Sequence, residues 1–498
     1  VAGFEPDYGK GELTKWSELD ATLKSAVRSA LQDWQRVADI RFVEVAEDQN
    51  GAGDLRFALT ANMDAGYAAW AYGPGYSAVS GDVWLKTGTF AGRSAERGSF
   101  AYSTILHEIG HAIGLKHPFE GSPIITSGYD DTNYTVMSYD TAGFEAASPM
   151  YYDIAAVQFL YGSNTTANSG DDTYRSGSYS YTIWDTGGTD TIDFSGLTAA
   201  CSIDLAPGAS SLSGSLFVQT MPDVWIENAI GGSGNDWISG NSRDNLLTGG
   251  RGADVIAGGA GFDTAAYERS YASYGVTRSG ATVSVWDKTY GETDTLTQVE
   301  VLRFSDRAVA VPQTFARGDA VGGYVSALRD YGGVDCGATE YWTYDGSADV
   351  NGDGRAEMIL MNAVNGRWAT LGTDASGLID FSRHGAGGDT RVVGIYIDPS
   401  VASGQNALGG PFDSQTRFAA DLRAARLDVL GAADYDRNGW TDFYLKVADG
   451  NSDRSDDIFL RCIMHADGNI NYANYQNRLQ MEGFMAAAGV GASVWGEW

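Results

Sequence analysis

The sequence predicts a multidomain chain: an α/β domain over residues 1–165, a parallel β-roll over 166–312 and a mostly-β domain over 313–498. Three observations predict it. Helix-like and strand-like periodicities alternate up to about residue 163, a nine-residue repeat fills 231–266, and two Asp-rich loops with alternating flanks lie beyond Pro312.

In chain order, residues 20–37 place Leu23, Val27, Leu31, Trp34 and Val37 on one face at helical spacing. Arg41–Val45 and Leu55–Leu59 alternate like half-buried strands, and Gly66–Tyr72 and Gly81–Lys86 read as further short strands. A helix starts near Phe100 and runs to Gly114. Residues 1–17 offer no convincing strand.

From about 166 the texture turns to Gly, Asp, Ser and Thr. The repeat reads GGSGNDWIS, GNSRDNLLT, GGRGADVIA, GGAGFDTAA. Its sixth positions are Asp236, Asn245, Asp254 and Asp263, and its eighth Ile238, Leu247, Ile256 and Ala265. Glycine pairs supply positive φ for a tight turn, the sixth residue brings an oxygen to it, and the eighth points inward from a short strand. Such turns stack into a parallel β-roll with calcium between them. A flexible linker would not keep an acidic and an aliphatic residue in phase. The second copy carries Arg243 in place of glycine, so weak or no metal binding is expected there. Thr282–Trp286 and Val299–Phe304 alternate and could cap the roll.

Beyond Pro312 one loop offers Asp349, Asn351, Asp353 and Glu357, and another Asp434, Asp436, Asn438 and Asp442. Oxygens at positions 1, 3, 5 and 9 with glycine at 6 describe a calcium loop. An EF-hand needs Glu at position 12, where Leu360 and Leu445 stand, so calcium loops between β-strands are expected, the flanks being Met358–Met361 and Phe443–Val447. Solvated Asp-rich turns are the alternative.

Composition narrows the partners. A formal charge of −31 argues against nucleic acid and anionic membranes, and fits carboxylates waiting for calcium or a surface tuned to a salty medium. Glycine numbers 65 against 10 prolines, which means many tight turns rather than disorder. The three cysteines, Cys201, Cys336 and Cys462, lack a CxxC spacing, so a thiolate zinc site is not expected; Cys336 and Cys462 could pair. No apolar run approaches the roughly 18–20 residues of a membrane span. Residues 1–6 lack the features of a signal peptide, which fits a processed chain or export without one.

Three of the five histidines fall in His107-Glu108-Ile109-Gly110-His111-Ala112-Ile113-Gly114-Leu115-Lys116-His117. His107 and His111 are i and i+4 on one helix face and can share a Zn²⁺. Gly114 can turn the chain so that His117 supplies a third imidazole, which leaves one position open for water. Glu108 sits where a carboxylate can take that water's proton. A structural zinc site is the sober alternative, but those are usually closed by Cys or a fourth protein ligand.

This motif, followed by Thr135-Val136-Met137-Ser138-Tyr139, resembles the metzincin pattern and specifically the serralysin family. The resemblance implies that Met137 forms an apolar turn beneath the ligands. It also implies that Tyr139 is a mobile tyrosine, a zinc ligand at rest and an oxyanion donor in the transition state. Tyr152–Gly162 is similar to the helix closing the family's catalytic domain. Trp184–Gly196 and Ile226–Gly232 are similar to its calcium turns, so that Asp172, Asp185, Asp190 and Glu227 join Asp236, Asp254 and Asp263 as calcium ligands. Carbonyls of Gly187, Gly188, Gly232, Gly234, Gly250, Gly252, Gly259 and Gly261 would complete those shells. The resemblance covers about residues 18–266.

It implies a metzincin-like catalytic domain with one catalytic Zn²⁺ and several structural Ca²⁺, broad endopeptidase action on proteins and an inactive precursor. Type I export to the extracellular medium and calcium-driven folding outside the cell also follow; a monomeric state is expected as well. The 66–72 segment is the candidate sheet edge for an extended substrate, an ordinary sheet strand being the alternative. The rival reading of the whole chain is a non-catalytic calcium-dependent adhesin or surface-layer component. Residues 313–498 leave the family pattern, and a targeting or binding module is one role for them.

Overall fold

The computed structural model describes residues 11–46, 53–141, 143–177, 179–214 and 216–311. Beyond these it describes 320–332, 339–348, 357–362, 368–374, 378–381, 426–433, 442–448, 458–464 and 470–475. The chain divides into two compact units, 1–265 with 280–298, and 266–279 with 299–498.

The first unit begins with a 3-10 turn, Glu12–Lys15, and strand β1 (Trp16–Ser17). Helix α1 (Ala21–Val37) is capped by the Asp20 carboxylate, which accepts the Leu23 N–H, and it buries Leu23, Ala26, Val27, Ala30, Trp34 and Val37. Strands β2 (Arg56–Thr60), β3 (Ala69–Ala71) and β4 (Asp82–Lys86) follow, then the short helix α2 (Thr87–Phe90) and helices α3 (Phe100–Ala112) and α4 (Tyr151–Tyr161). The sheet order is β1-β2-β4-β3; β2 and β4 run parallel, β1 and β3 antiparallel to their neighbours. Asp33 on α1 ties the helical layer together, accepting from Arg97 and, at 2.6 Å, from the Tyr102 hydroxyl on α3.

Two sequence expectations fail here. Arg41–Val45 is not a strand: residues 40–46 form no element, and Val43 and Val45 are exposed. The segment is held along α1 instead: Gln35 Oε1 accepts the Phe42 N–H, and Arg28 donates to Glu44. Conversely, Trp16–Ser17 does form a strand, pairing with Thr60 and Leu59, where none was expected in residues 1–17. Gly66–Tyr72 contracts to the three residues of β3.

The chain then coils between two sheets through β5 (Thr173–Arg175), β6 (Tyr181–Ile183), β7 (Thr191–Asp193), β8 (Cys201–Asp204), β9 (Ser210–Ser213), β10 (Leu216–Thr220) and β11 (Asn228–Ile230). The repeat itself supplies β12 (Trp237–Ser239), β13 (Leu246–Thr248), β14 (Val255–Ala257) and β15 (Thr264–Ala266). Each repeat strand pairs in parallel with the one two repeats on: Trp237 with Val255, Leu246 with Thr264. Successive repeats therefore belong to opposite sheets. The eighth-position side chains Ile238, Leu247, Ile256 and Ala265 are buried between them, as their phase requires.

After β16 (Tyr274–Ser279), strands β17 (Thr282–Asp287) and β18 (Thr293–Thr297) form an antiparallel pair, and β18 pairs in parallel with β14. The second unit contains the antiparallel β19 (Val301–Arg303) and β20 (Ala308–Ala310) and helix α5 (Gly322–Gly332). A meander of β21 (Trp342–Ala348), β22 (Glu357–Asn362) and β23 (Trp368–Leu371) follows, and β24 (Ile379–Asp380) pairs with β20. A second meander comprises β25 (Arg426–Ala433), β26 (Asp442–Ala448), β27 (Ile458–Met464) and β28 (Ile470–Tyr475). Among the described residues no helix is long and apolar enough to cross a membrane.

Candidate active site

Helix α3 starts at Ser99, whose Oγ accepts the Tyr102 N–H, and its buried face carries Ile105, Leu106 and Ile109. At its end Leu115 N–H reaches back to the Gly110 carbonyl, and Gly114 takes φ +108°, a conformation that L side chains resist. The reversal returns His117 to the helix. Tyr161 of α4 supports it by donating to the Ile113 carbonyl at 2.8 Å.

His107, His111 and His117 each offer a ring nitrogen, all within 4.8 Å of one another. The other nitrogens define the tautomers of two of them. His107 Nδ1 lies 2.8 Å from the Val136 carbonyl and His111 Nδ1 2.9 Å from that of Leu115, so these two donate. His117 Nδ1 lies 3.0 Å from Glu120 Oε1. His111 Nε2, left with its lone pair, lies 3.0 Å from His117 Nε2. Three imidazoles at Zn–N distances near 2.0–2.1 Å fit this convergence. Burial holds His107 down to about 3 and lowers His111, so these two are neutral, as metal binding requires.

Glu108 is buried, its Oε2 has no hydrogen-bond partner, and burial pushes its carboxyl up to about 8. The exposed Tyr139 places its hydroxyl 2.8 Å from His117 Nε2. Beneath the histidines Met137 is buried against α3, so close that a Cβ added to Gly110 would sit 2.6 Å from its sulfur.

Three neighbours were not singled out in the sequence. Phe119 stacks on His117 with ring centres 5.0 Å apart. Glu120, three residues on in sequence, brings its Oε1 within 3.0 Å of His117 Nδ1 without a hydrogen bond. Asp153, fully buried on α4, accepts from Thr135 Oγ1 at 2.6 Å, Val136 N at 2.7 Å and Met150 N at 2.8 Å, so it holds the segment bearing Met137. Burial raises its carboxyl to about 6 against the pull of these bonds. Among the three, only the i+3 spacing of Glu120 was a sequence signal.

In the coil, Asp172, Asp185 and Asp190 bring three carboxylate oxygens within 4.8 Å of one another. Oδ1 of Asp190 accepts the Asp172 N–H, while Oδ2 is buried without a partner; Asp254 Oδ2 is likewise orphaned. Burial, with carboxylate neighbours adding to it, pushes Asp190 and Asp254 up to about 7. Such donor sets suit a hard cation.

The carboxylates also form ladders: Cys201 N donates to Asp236, Asp236 N to Asp254, and Asp254 N to Asp294, a member outside the nine-residue phase. Asn245 N donates to Asp263 in the same way. Gly187, Gly188, Gly250, Gly252, Gly259 and Gly261 take positive φ, but Gly232 and Gly234 do not. At those two, glycine answers close approach instead: an added Cβ would lie 2.6 Å from the Leu197 carbonyl oxygen and 2.5 Å from Ala200 N.

Glu227 has other partners. Its Oε2 accepts the Asp190 N–H and its Oε1 meets Arg243 at 2.7 Å, while Asn241 donates to the Leu205 and Ile226 carbonyls. The second repeat thus fills its turn with its own cation and amide. Asp349, Asn351, Asp353, Asp434, Asp436 and Asn438 lie outside the described residues, whereas Glu357 and Asp442 open β22 and β26. Cys336 also lies outside them, and Cys201 is a free, buried thiol.

A helix with two histidines one turn apart, a glycine reversal to a third and a methionine floor define the zinc centre of a metzincin. Residues 13–162 match the matrixin family model, and 152–279 that of the peptidase M10 serralysin C-terminal region. A serralysin of Proteus mirabilis is 37% identical over 285 residues, covering 48% of this chain and 57% of its own length. Serralysin C of Dickeya chrysanthemi is 38% identical over 259 residues (45% and 54%), and metallopeptidase AprA of Pseudomonas marginalis 34% over 278 (48% and 58%). The chain therefore spans little more than half the length of these curated relatives. Through residues 13–279 it belongs to the serralysin family of metzincin metalloproteases.

Proposed function

We propose that the chain is a secreted, zinc-dependent endopeptidase that hydrolyses proteins and folds with calcium. The observation that carries this is the convergence of three imidazoles beside an orphaned carboxylate oxygen and an exposed tyrosine hydroxyl. Zinc bound there supplies a Lewis acid that polarises a carbonyl and acidifies water. Glu108 takes the water's proton through Oε2 and returns it to the leaving amine. Tyr139 swings its hydroxyl from His117 to the carbonyl oxygen as negative charge develops. His107 and His111 keep their orientation through the Val136 and Leu115 carbonyls.

The substrate backbone lies along β3. Tyr72 N bonds to the Asp82 carbonyl and Lys86 N to that of Ala68, so residues 68 and 72 face β4. By strand alternation Ala69 and Ala71 turn their amides and carbonyls to the open edge, where an extended peptide can add. Asp172, Asp185 and Asp190, with the Asp236–Asp254 ladder and Asp263, hold calcium ions, and millimolar calcium outside the cell stabilises the coil after type I export. The chain acts as a monomer, and residues 313–498 serve as a targeting or binding module. A casein or gelatin assay of wild type and Glu108→Ala, with zinc content measured on both, tests the catalytic reading. Loss of activity with zinc retained is expected. Equal activity overturns it and favours the adhesin reading.

A further inference from the structure

Outside the zinc site the first unit holds a carboxylate that the chemistry above does not use. Glu12 is fully buried, and its Oε1 accepts two hydrogen bonds, from Trp70 Nε1 at 2.9 Å and from the Tyr72 hydroxyl at 2.7 Å. Its backbone is fastened elsewhere in the sheet: Thr60 Oγ1 donates to the Glu12 carbonyl, Asn62 Nδ2 to that of Gly11, and Ala61 N to that of Lys15. The 3-10 turn is thus sewn to the end of β2, while its carboxylate reaches across the sheet to β3. Leu13 of the same turn joins Trp70 and Tyr72 in packing on Met63 and Trp84.

A three-residue edge strand has little backbone pairing to hold it in place. Side chains at 70 and 72 point to one face, and the peptide groups of 69 and 71 between them face the open edge. Fixing Trp70 and Tyr72 therefore fixes the donors and acceptors that a substrate would meet. The far end of this segment abuts the metal helix, since a Cβ on Gly73 would lie 3.8 Å from the His111 carbonyl oxygen.

We propose that Glu12 is a positioning residue for substrate: it clamps β3 through Trp70 and Tyr72 so that Ala69 and Ala71 present an ordered edge to an extended peptide. This rests on the endopeptidase reading. The test uses the full chain and peptides that share one scissile bond, a short one and versions lengthened by three residues toward either end. In wild type, the extension that reaches β3 lowers KM. In Glu12→Ala, KM for that long peptide rises about tenfold, the scale of one or two net hydrogen bonds, with kcat within twofold and the short peptide unchanged. Glu12→Gln keeps an oxygen that can accept from both donors and retains the length advantage. Trp70→Phe and Tyr72→Phe each lose part of it, and the pair carries the same test should Glu12→Ala fail to fold. An equal loss on short and long peptides, no loss on the long one, no length advantage in wild type, or Glu12→Gln as impaired as Glu12→Ala overturns the clamp. Wild type that cleaves neither peptide overturns the endopeptidase reading and the clamp with it.

Discussion

Replacing Asp153 tests how the catalytic floor is built. The carboxylate satisfies three buried donors: the Thr135 hydroxyl, the Val136 amide and the Met150 amide. Asp153→Ala strands all three, and at roughly 1–3 kcal/mol for each unmet buried donor, with some relief from entering water, about 3–5 kcal/mol is lost. The damage reaches the metal because the Val136 carbonyl, on the same peptide segment, orients His107 at 2.8 Å. Loosening the partner of a ligating histidine typically costs about 10–100-fold in metal affinity. Asp153→Asn, with one oxygen and an amide that opposes the third donor, falls between wild type and alanine. Competition titration with a chromogenic zinc chelator reads the affinity, and calorimetry of the full chain reads the stability. Zinc affinity within twofold of wild type for Asp153→Ala, together with a superimposable melting profile, would refute the argument.

Other perturbations separate the remaining parts. Tyr139→Phe removes the hydroxyl while leaving three imidazoles; kcat should fall by about 10²-fold, as for loss of one oxyanion donor, with KM and zinc content little changed. Gly110→Ala drives a methyl into the Met137 sulfur and should cost about 1–3 kcal/mol as an overpacked core, seen as a lower melting temperature with zinc bound. Asp254→Ala should lower the calcium count per chain measured by elemental analysis, whereas Asp244→Ala should not. Calcium chelation should abolish a distinct thermal transition of the coil; a profile indifferent to chelation would remove calcium from the account.

Local chemistry was legible in the sequence where partners are near. His107, His111 and His117 sit within eleven residues, and a helix plus one glycine reversal brings them together. The repeat was legible for the same reason: its phase puts Ile238, Leu247 and Ile256 inside whatever the rest of the chain does. Alternation alone misled at Arg41–Val45, because contacts with α1, from Gln35 to the Phe42 amide and from Arg28 to Glu44, hold that segment outside the sheet. Trp16–Ser17 was too short for any periodicity to register. Glu12 and Asp153 escaped notice because their meaning lies in partners 58 and 60, and 17 and 18, residues away. Glycine at 232 was expected for its conformation, whereas close contact is what requires it.

The pairing of each repeat with the one two places on has a consequence for how disturbance spreads. Cys201, Asp236, Asp254 and Asp294 form one thread of amide-to-carboxylate bonds, and Asn245 and Asp263 belong to a second. Nearest neighbours in sequence are strangers in this wiring, while residues eighteen apart share a wire. Lesions at Asp236 and Asp254 should therefore be strongly non-additive, and lesions at Asp254 and Asp263 nearly independent. The coil behaves as two braided strings, and a fault in one can leave the other taut.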